Sequence, residues 1–315
     1  MEYNYPPYRT ELPSYQTEPP GQPVPGFRQP NPYVNIVLFL LTVCTTLLAG
    51  SFLEGGNPFV RIDDVVKGLP FAITLLAIIG CHEFGHYFMC KKHGVAATLP
   101  YFIPALPPFF IIGTLGAVIK IRAPITNNRA LFDIGAGGPI AGLIVAIPAI
   151  FIGLDMSEIK EIDPAGAWSL GDPIIMKIIS RIVFGEIPEG FDIYISSIAF
   201  AGWVGLIVTA FNLLPIGQLD GGHIAYALIG KRQAWLGYIV FLSLFPLALF
   251  WAGWAFFIFI TFLIRIRHPV GITNLEPLDT RRKILGVLCL VIFAVCFMPV
   301  PFEGMGIIQL VSAFF

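Results

Sequence analysis

Long apolar runs separated by short polar segments dominate the hydrophobic pattern of this 315-residue chain. Several approach or exceed the about 20 residues that a helix needs to cross a bilayer. The runs lie at 34–52, 69–92, 130–154, 193–214, 233–264 and 284–300. Pro246 interrupts the 233–264 run, which is therefore either one long tilted span or a hairpin of two spans. The pattern predicts an all-α polytopic membrane protein with about six transmembrane helices.

Residues 99–125 break this helical pattern. They contain five prolines, and 113–122 is rich in glycine and β-branched residues. The segment is apolar enough to enter the membrane, but its backbone must then be satisfied inside the protein or in a wet cavity. We expect a re-entrant segment, either a β-hairpin or a loop, packed beside the functional site.

Composition agrees with a membrane protein and excludes other classes. Hydrophobic residues make up 56% of the chain and charged residues only 12%, whereas soluble domains carry about 25% charged residues. The net charge is −1, and no basic, aromatic-interleaved stripe indicates nucleic acid as a partner. The five cysteines form no CxxC pair, so neither a disulfide framework nor a cysteine zinc site is predicted.

Two segments stand outside the apolar runs. Residues 1–33 hold nine prolines and five tyrosines with almost no aliphatic side chains, and we predict a disordered tail there. Residues 155–192 are polar and acidic, with a short amphipathic helix predicted around 173–184.

The distribution of Lys and Arg predicts an orientation. Twelve of the nineteen fall on one side of the membrane if 99–125 re-enters and 233–264 is a hairpin. The segments left for the other side, 53–67 and 155–192, carry five and are rich in acids. An excess of Lys and Arg marks the cytoplasmic side. The N-terminal tail and the cytoplasmic ends of the second and fourth runs therefore share that side.

The second run acquires His82, Glu83 and His86 shortly before it ends at two lysines. In a helix, the two histidines lie on one face, one turn apart. Two imidazoles at that spacing can hold one zinc ion, with Glu83 beside them to accept a proton from water. Ionisable groups are costly inside apolar helices, which makes these three residues functional candidates.

A catalytic zinc takes three protein ligands, and this motif supplies two. The fourth run descends to the same side and continues as NLLPIGQLDGGH, which brings Asn212, Pro215 and Asp220 near the depth of His82. We expect Asp220 to be the third ligand, because the two glycines after it let the chain turn tightly. His223 is the alternative ligand, since histidine binds zinc more commonly than aspartate does.

The two motifs together resemble the site-2 protease family, whose pattern is HExxH followed much later by NxxPxxxLDG. The second motif is matched by Asn212, Pro215, Leu219, Asp220 and Gly221. GAGGPIAG at 135–142 is also similar to a Gly-Pro motif of that family. The resemblance implies a zinc intramembrane endopeptidase that cleaves transmembrane segments of other membrane proteins, in regulated intramembrane proteolysis. It further implies one Zn²⁺ per chain on His82, His86 and Asp220, with Glu83 as the catalytic acid and base.

The resemblance also suggests a division of the chain. A catalytic membrane core over 66–225 follows the tail (1–33) and the first span with its loop (34–65), and C-terminal transmembrane helices occupy 226–315. Many bacterial members insert a PDZ domain between the two motifs. The 38 residues of 155–192 are fewer than the about 50 of the smallest usual domains. The chain is therefore expected to be a PDZ-less member.

Other residues receive supporting roles. An unwound substrate segment can pair with 113–122 as an added strand, and Asn212 can either hydrogen-bond the substrate backbone or end a helix. We expect Asp133 to be a helix-terminal or supporting group, and His93 and His268 to be solvated in basic loops. The substrate-binding candidates in the strand are Gly113, Thr114, Leu115 and Gly116, and the structural or supporting candidates are Pro215, Gly221 and Asp133.

Rival functions stay open. A metal-ion transporter or metal-binding membrane protein would also use intramembrane His and Asp ligands, although a transit site has no need of Glu83, and no inverted repeat is visible. An inactive relative that only holds substrates is a further alternative. An aspartyl protease would need a GxGD context that Asp220 lacks, and no GxSxG serine motif is present. The expected partners are transmembrane protein substrates and the lipid bilayer, and the oligomeric state is left open.

Overall fold

The computed structural model describes residues 31–108, 110–162, 169–264 and 276–307. Most of the predicted tail and His268 lie outside these residues. The described helices are α1 Tyr33–Leu53, α2 Leu69–Lys92, α3 Asn128–Asp155, α4 Ile174–Phe184, α5 Ser197–Asn212, α6 Asp220–Ile229, α7 Gln233–Phe250, α8 Gly253–Ile264 and α9 Thr280–Cys296. The strands are β1 Tyr101–Pro104, β2 Thr114–Val118, β3 Glu158–Glu161 and β4 Phe191–Tyr194. The predicted predominance of helix is confirmed.

Among the residues that the structure describes, four helical stretches are long and apolar enough to cross a membrane, judged by length and composition. They are Tyr33–Leu53, Ile62–Lys92, Asn128–Asp155 and Asp220–Phe250. Two apolar helices are shorter, Ser197–Asn212 and Gly253–Phe262. The fold is therefore that of a membrane protein with at least four candidate spans, and the count of about six stays a prediction.

The centre of the fold is a tight packing of α2 on α3. A Cβ on Gly85 would lie only 2.4 Å from the carbonyl oxygen of Gly137. On the far side of α3, a Cβ on Gly153 would lie 2.2 Å from the backbone nitrogen of Ala199 in α5. Small residues let helix backbones approach in this way. The glycine-rich start of α3 therefore brings the two histidines of α2 against the α3 backbone.

The segment 99–125 contains a β-hairpin, which was one of the two predicted alternatives. Strands β1 and β2 pair antiparallel, with Tyr101 opposite Val118 and Pro104 opposite Thr114. The hairpin is held by α1, where Asn35 donates from Nδ2 to the carbonyl oxygens of Leu99 and Pro100 at 3.0 and 2.9 Å. These bonds satisfy backbone groups that precede β1. Entry of the hairpin into the membrane stays a prediction.

The polar segment 155–192 contains the predicted amphipathic helix, α4. It also contributes to an unpredicted antiparallel pair of strands, β3 and β4, which flank α4 along the chain. Because β4 runs to Tyr194, α5 begins at Ser197 and not at 193. Ser196 caps the helix by accepting a hydrogen bond from the Ala199 amide. The fourth apolar run is therefore a helix of only 16 residues.

The run at 233–264 forms two helices, but Pro246 does not separate them. Pro246 lies inside α7, and the break comes at Trp251, whose backbone is extended. The next amide, Ala252 N–H, donates to the carbonyl oxygen of Met305 at 2.8 Å. That bond to a distant segment draws the chain out of the helix. A proline removes one helical hydrogen bond, and neighbouring helices tolerate such a loss in apolar surroundings.

The last predicted run begins four residues early, at Thr280. Asp279 caps α9, because its side chain accepts a hydrogen bond from the Arg282 amide at 3.1 Å. The basic residues at 281–283 therefore belong to the first turn of the helix and not to the loop before it.

Candidate metal centre

Helix α2 has the bounds predicted for the second run, 69–92, and carries the HExxH motif. The side chains of His82, Glu83 and His86 are all buried. The two imidazoles meet one helical turn apart, with Nε2 of His86 3.1 Å from Nε2 of His82. Both nitrogen atoms therefore face the same small volume.

Asp220 completes this group from another part of the chain. Its Oδ2 lies 3.3 Å from Nε2 of His82 and 3.3 Å from Nε2 of His86. Across the described ranges, this is the one group of three or more His, Cys, Asp or Glu side chains whose ligand atoms converge, all within 4.8 Å. His223, the alternative ligand, is not a member of it.

The sequence analysis placed Asp220 on the continuation of the fourth run. In the structure, Asp220 instead begins the separate helix α6. An irregular segment over 213–219 separates α5 from α6, with Gly217 at a φ of +53°. A Cβ on Gly221 would lie 2.0 Å from the carbonyl oxygen of Leu213. Glycine is therefore required for α6 to start against the end of α5.

The donor set fits a divalent cation of the zinc type. Asp220 Oδ2 is buried and receives no hydrogen bond from the described residues. His86 Nδ1 lies 2.7 Å from the carbonyl oxygen of Ile134, and a carbonyl can only accept, so this ring nitrogen is the donor. Nε2 is then left with a lone pair directed at the centre. Two imidazole nitrogens and a carboxylate oxygen are suitable zinc ligands.

Glycine in α3 makes room for the metal ligands. A Cβ on Gly138 would lie 2.1 Å from His86 Nε2, and one on Gly142 would lie 3.2 Å from the Cβ of His82. The sequence analysis treated these glycines only as part of a Gly-Pro motif. Their direct contact with the imidazoles was missed, although the GAGGPIAG pattern was the available signal.

Asn212 and Glu83 flank the centre. The side-chain amide nitrogen of Asn212 lies 3.3 Å from His82 Nε2, so this residue borders the metal ligands as well as ending α5. The carboxylate of Glu83 lies beside the backbone amide of Ile119, one residue beyond β2. Glu83 therefore faces the hairpin, and the metal centre and the hairpin share one border.

The four strand candidates differ in their surroundings. The Thr114 side chain is buried and donates to the Ile103 carbonyl oxygen at 2.8 Å, while its Oγ1 accepts from the Gly116 amide at 3.0 Å. Gly113 packs on α1, where a Cβ would lie 2.4 Å from the Thr45 carbonyl oxygen. Leu115 is 52% exposed. Only Leu115 of these side chains points outward, and the others support the hairpin.

The remaining predicted residues lie in supporting contacts. Pro215 offers its carbonyl oxygen to Nε2 of the buried Gln233 at 3.0 Å. Asp133 accepts from Nε and Nη2 of Arg282 at 2.8 and 2.7 Å and contacts His93 Nε2 at 2.8 Å. The expectation of a solvated His93 was therefore wrong. Asp133 at the start of α3 holds the His93 side chain through this contact, although the two residues are 40 positions apart along the chain.

Comparison with known proteins gives a family match over the region of both motifs. The sequence model of peptidase family M50 matches residues 70–237. The chain is 25% identical over 304 residues to "probable zinc metalloprotease EGY2, chloroplastic" of Arabidopsis thaliana, covering 95% of this chain and 54% of that protein. It is 30% identical over 227 residues to the EGY1 protein of the same description from Oryza sativa subsp. japonica, covering 63% and 38%.

A third relative, the EGY1 protein of Arabidopsis thaliana, is 28% identical over 248 residues, covering 75% of this chain and 44% of that protein. The chain thus spans about half or less of the length of these curated relatives. No solved structure matches it.

Proposed function

The chain belongs to peptidase family M50, and on that premise we propose that it is a zinc-dependent intramembrane endopeptidase that cleaves transmembrane segments of membrane proteins. One observation carries the proposal. Two buried imidazoles and a buried carboxylate converge within 4.8 Å, and two of the three stand on a helix apolar enough to cross a membrane. The relatives' description as probable zinc metalloproteases supports zinc as the metal.

His82, His86 and Asp220 would hold one Zn²⁺ per chain. When bound, the ion supplies Lewis acidity, which polarises a carbonyl and makes water more acidic. The Ile134 carbonyl holds the His86 ring in the orientation that ligation requires, as outer hydrogen-bond partners of metal ligands do.

Glu83 is the proposed acid and base. Its carboxylate accepts the proton of the attacking water as the water oxygen bonds to the scissile carbonyl carbon. It then returns that proton to the leaving amine as the C–N bond breaks. Glu83 is adjacent to His82 in sequence, lies outside the convergent ligand group and contacts the Ile119 amide. This position between ligands and hairpin is where a substrate backbone would meet the base.

The hairpin and Asn212 are proposed to hold the substrate. A substrate helix hides its carbonyls in intrahelical hydrogen bonds, so it must unwind locally before attack. The unwound segment would add to the hairpin as a strand, with main-chain pairing giving affinity. Leu115 would contact its side chains, and the Asn212 amide, near His82, would bind its backbone.

The arrangement in the membrane is part of the same proposal. We place the catalytic core at 66–225, between the first span with its loop (34–65) and the C-terminal helices (226–315), with about six spans and a re-entrant hairpin. The active site and the N-terminal tail would face the cytoplasmic side. As a PDZ-less member acting in regulated intramembrane proteolysis, the protein would select substrates without such a domain.

A reconstitution experiment tests the proposal. The purified protein in detergent is incubated with a panel of transmembrane-helix substrates, then stripped with a chelator and reloaded with Zn²⁺. We expect cleavage within the helices, loss of cleavage on stripping and recovery with zinc. If no helix is cut under any condition, while zinc crosses a liposome membrane that contains the protein, the metal-transporter alternative is correct instead.

A further inference from the structure

A cavity lies where α2, α3 and α9 meet. It has a volume of about 970 Å³ and is lined by residues of α2, α3 and the start of α9. We call it the basic groove and define it by Phe88, Lys92, Ile140, Ile144, Arg281 and Leu285. Phe88 and Ile144 are 61% and 66% exposed, so the groove opens to the surroundings of the helix bundle.

The charges at the groove leave a positive excess. Asp133 is bound by Arg282 and His93, and Asp279 is also bound by Arg282. Both carboxylates that line the groove are therefore already paired. Lys92 and Arg281 are exposed and have no ion-pair partner among the residues described. Two cations at the groove are thus available to an anion.

The cations and the apolar walls occupy different ends. Lys92 ends α2, whereas Asp133 and Arg281 lie near the starts of α3 and α9, so the charged groups gather where α2 ends and α3 and α9 begin. The apolar wall continues along α3 to Ile144, eleven residues beyond Asp133. Eleven helical residues extend about 16 Å, close to the about 15 Å of hydrocarbon in half a bilayer.

We propose that the basic groove binds a membrane phospholipid with an anionic headgroup. Lys92 and Arg281 would contact the phosphate, and an acyl chain would lie on Phe88, Ile140, Ile144 and Leu285. A zwitterionic lipid would gain less from the two cations, and a soluble phosphate ester would leave the apolar wall uncovered. Arg281 and Leu285 lie beyond residues 70–237, so the family match does not include this side of the groove.

The groove lies next to the metal centre, because the contact between α2 and α3 forms the bottom of the groove. Gly85 and Gly137 line the groove and pack backbone against backbone. Gly85 precedes His86, and Gly137 precedes the Gly138 that makes room for the His86 ring. A bound lipid would therefore cover the outer surface of the same contact that positions a metal ligand.

Native mass spectrometry of the purified full chain tests the proposal. Phosphatidylglycerol and phosphatidylcholine with identical acyl chains are titrated, and their dissociation constants compared. We expect tighter binding of phosphatidylglycerol. The double variant Lys92→Gln with Arg281→Gln should weaken it about 25-fold, since each basic residue near anionic lipid contributes about a fivefold factor. Phosphatidylcholine binding should change little.

Two further variants make the result specific. Lys91→Gln with Lys283→Gln removes the same charge from adjacent positions outside the groove lining, and it should keep the lipid preference. Ile144→Trp fills the apolar end and should weaken binding of both lipids. Circular dichroism checks that each variant is folded.

Four results would overturn the proposal. The parent could bind both lipids equally, the Lys91 and Lys283 control could lose as much affinity as the groove variant, or Ile144→Trp could bind as the parent does. Displacement of phosphatidylglycerol by an equal concentration of glycerol phosphate would point to a soluble phosphate ligand and would also overturn it.

Discussion

The His86 ring donates from Nδ1 to the carbonyl oxygen of Ile134 at 2.7 Å. A backbone atom of α3 thereby orients a side chain of α2 and turns its Nε2 toward Asp220, 3.3 Å away. The contact is close because Gly138 has no side chain at the position of the ring. The geometry of the metal centre therefore depends on how α2 packs against α3. A substitution that disturbs this packing should change the affinity for the metal.

Gly138→Ala should weaken zinc binding without unfolding the protein. Its Cβ would stand 2.1 Å from His86 Nε2, so the ring must leave its position or the helices must separate. Substitutions that disturb the surroundings of a metal ligand cost about 10- to 100-fold in affinity. Competition with a chromophoric chelator measures the change. Gly80→Ala is the matched control, because its Cβ would meet only Phe102, at an ordinary 3.8 Å, and equal losses in both would contradict the account.

Replacing Asp220 and replacing His223, the two candidates for the third ligand, should have opposite effects on zinc content. Asp220→Ala removes the oxygen that lies 3.3 Å from both imidazoles and should abolish stoichiometric zinc binding. His223→Ala should retain one zinc per chain, since His223 does not belong to the convergent group. Elemental analysis of the purified proteins gives the metal content. Zinc loss from the His223 variant together with zinc retention in the Asp220 variant would reverse the assignment.

Arg282→Met should destabilise the fold. Arg282 binds Asp133 through two nitrogen atoms, and the Asp133 side chain is only 10% exposed. Removing one partner of a buried ion pair costs about 3–5 kcal/mol. Because 23% of the Arg282 side chain remains exposed, we expect a smaller loss of about 2 kcal/mol, seen as a lower thermal midpoint in detergent.

Lys283→Met is the control for that measurement. Lys283 is exposed on the next position of α9, and an exposed substitution usually changes stability by at most about 0.5 kcal/mol. An equal fall in the midpoint of both variants would show that the Asp133–Arg282 pair contributes nothing specific.

The parts of the site that sequence reasoning could predict are those fixed by local spacing. Two histidines four residues apart on an apolar helix must share a face, so the pairing of His82 with His86 follows from their spacing alone. The assignment of Asp220 needed the predicted topology, which brings it near the depth of His82, because no local rule joins residues 82 and 220. Its position at the start of a new helix depends on the close approach of Gly221 to Leu213, which spacing does not encode.

Longer-range contacts explain what was missed. Asp133 and Arg282 are separated by 149 positions, and their pairing with His93 follows from how α2, α3 and α9 meet. The break after α7 likewise depends on a hydrogen bond from Ala252 to Met305. Pro246 was the stronger local signal, but α7 continues through it. The His93 contact and the position of the helix break are therefore determined by tertiary contacts, which local sequence patterns do not show.

The central claim concerns Glu83, because a general base separates a protease from a site that only holds or passes a metal. The most direct measurement compares cleavage of a transmembrane-helix substrate by the parent and by Glu83→Gln, with zinc quantified in both. The exposed Glu54 gives the matched control, Glu54→Gln. We predict one zinc per chain in all three proteins, cleavage by the parent and the control, and a rate about 10²- to 10⁴-fold lower for Glu83→Gln. Cleavage by Glu83→Gln at the parent rate would contradict the account.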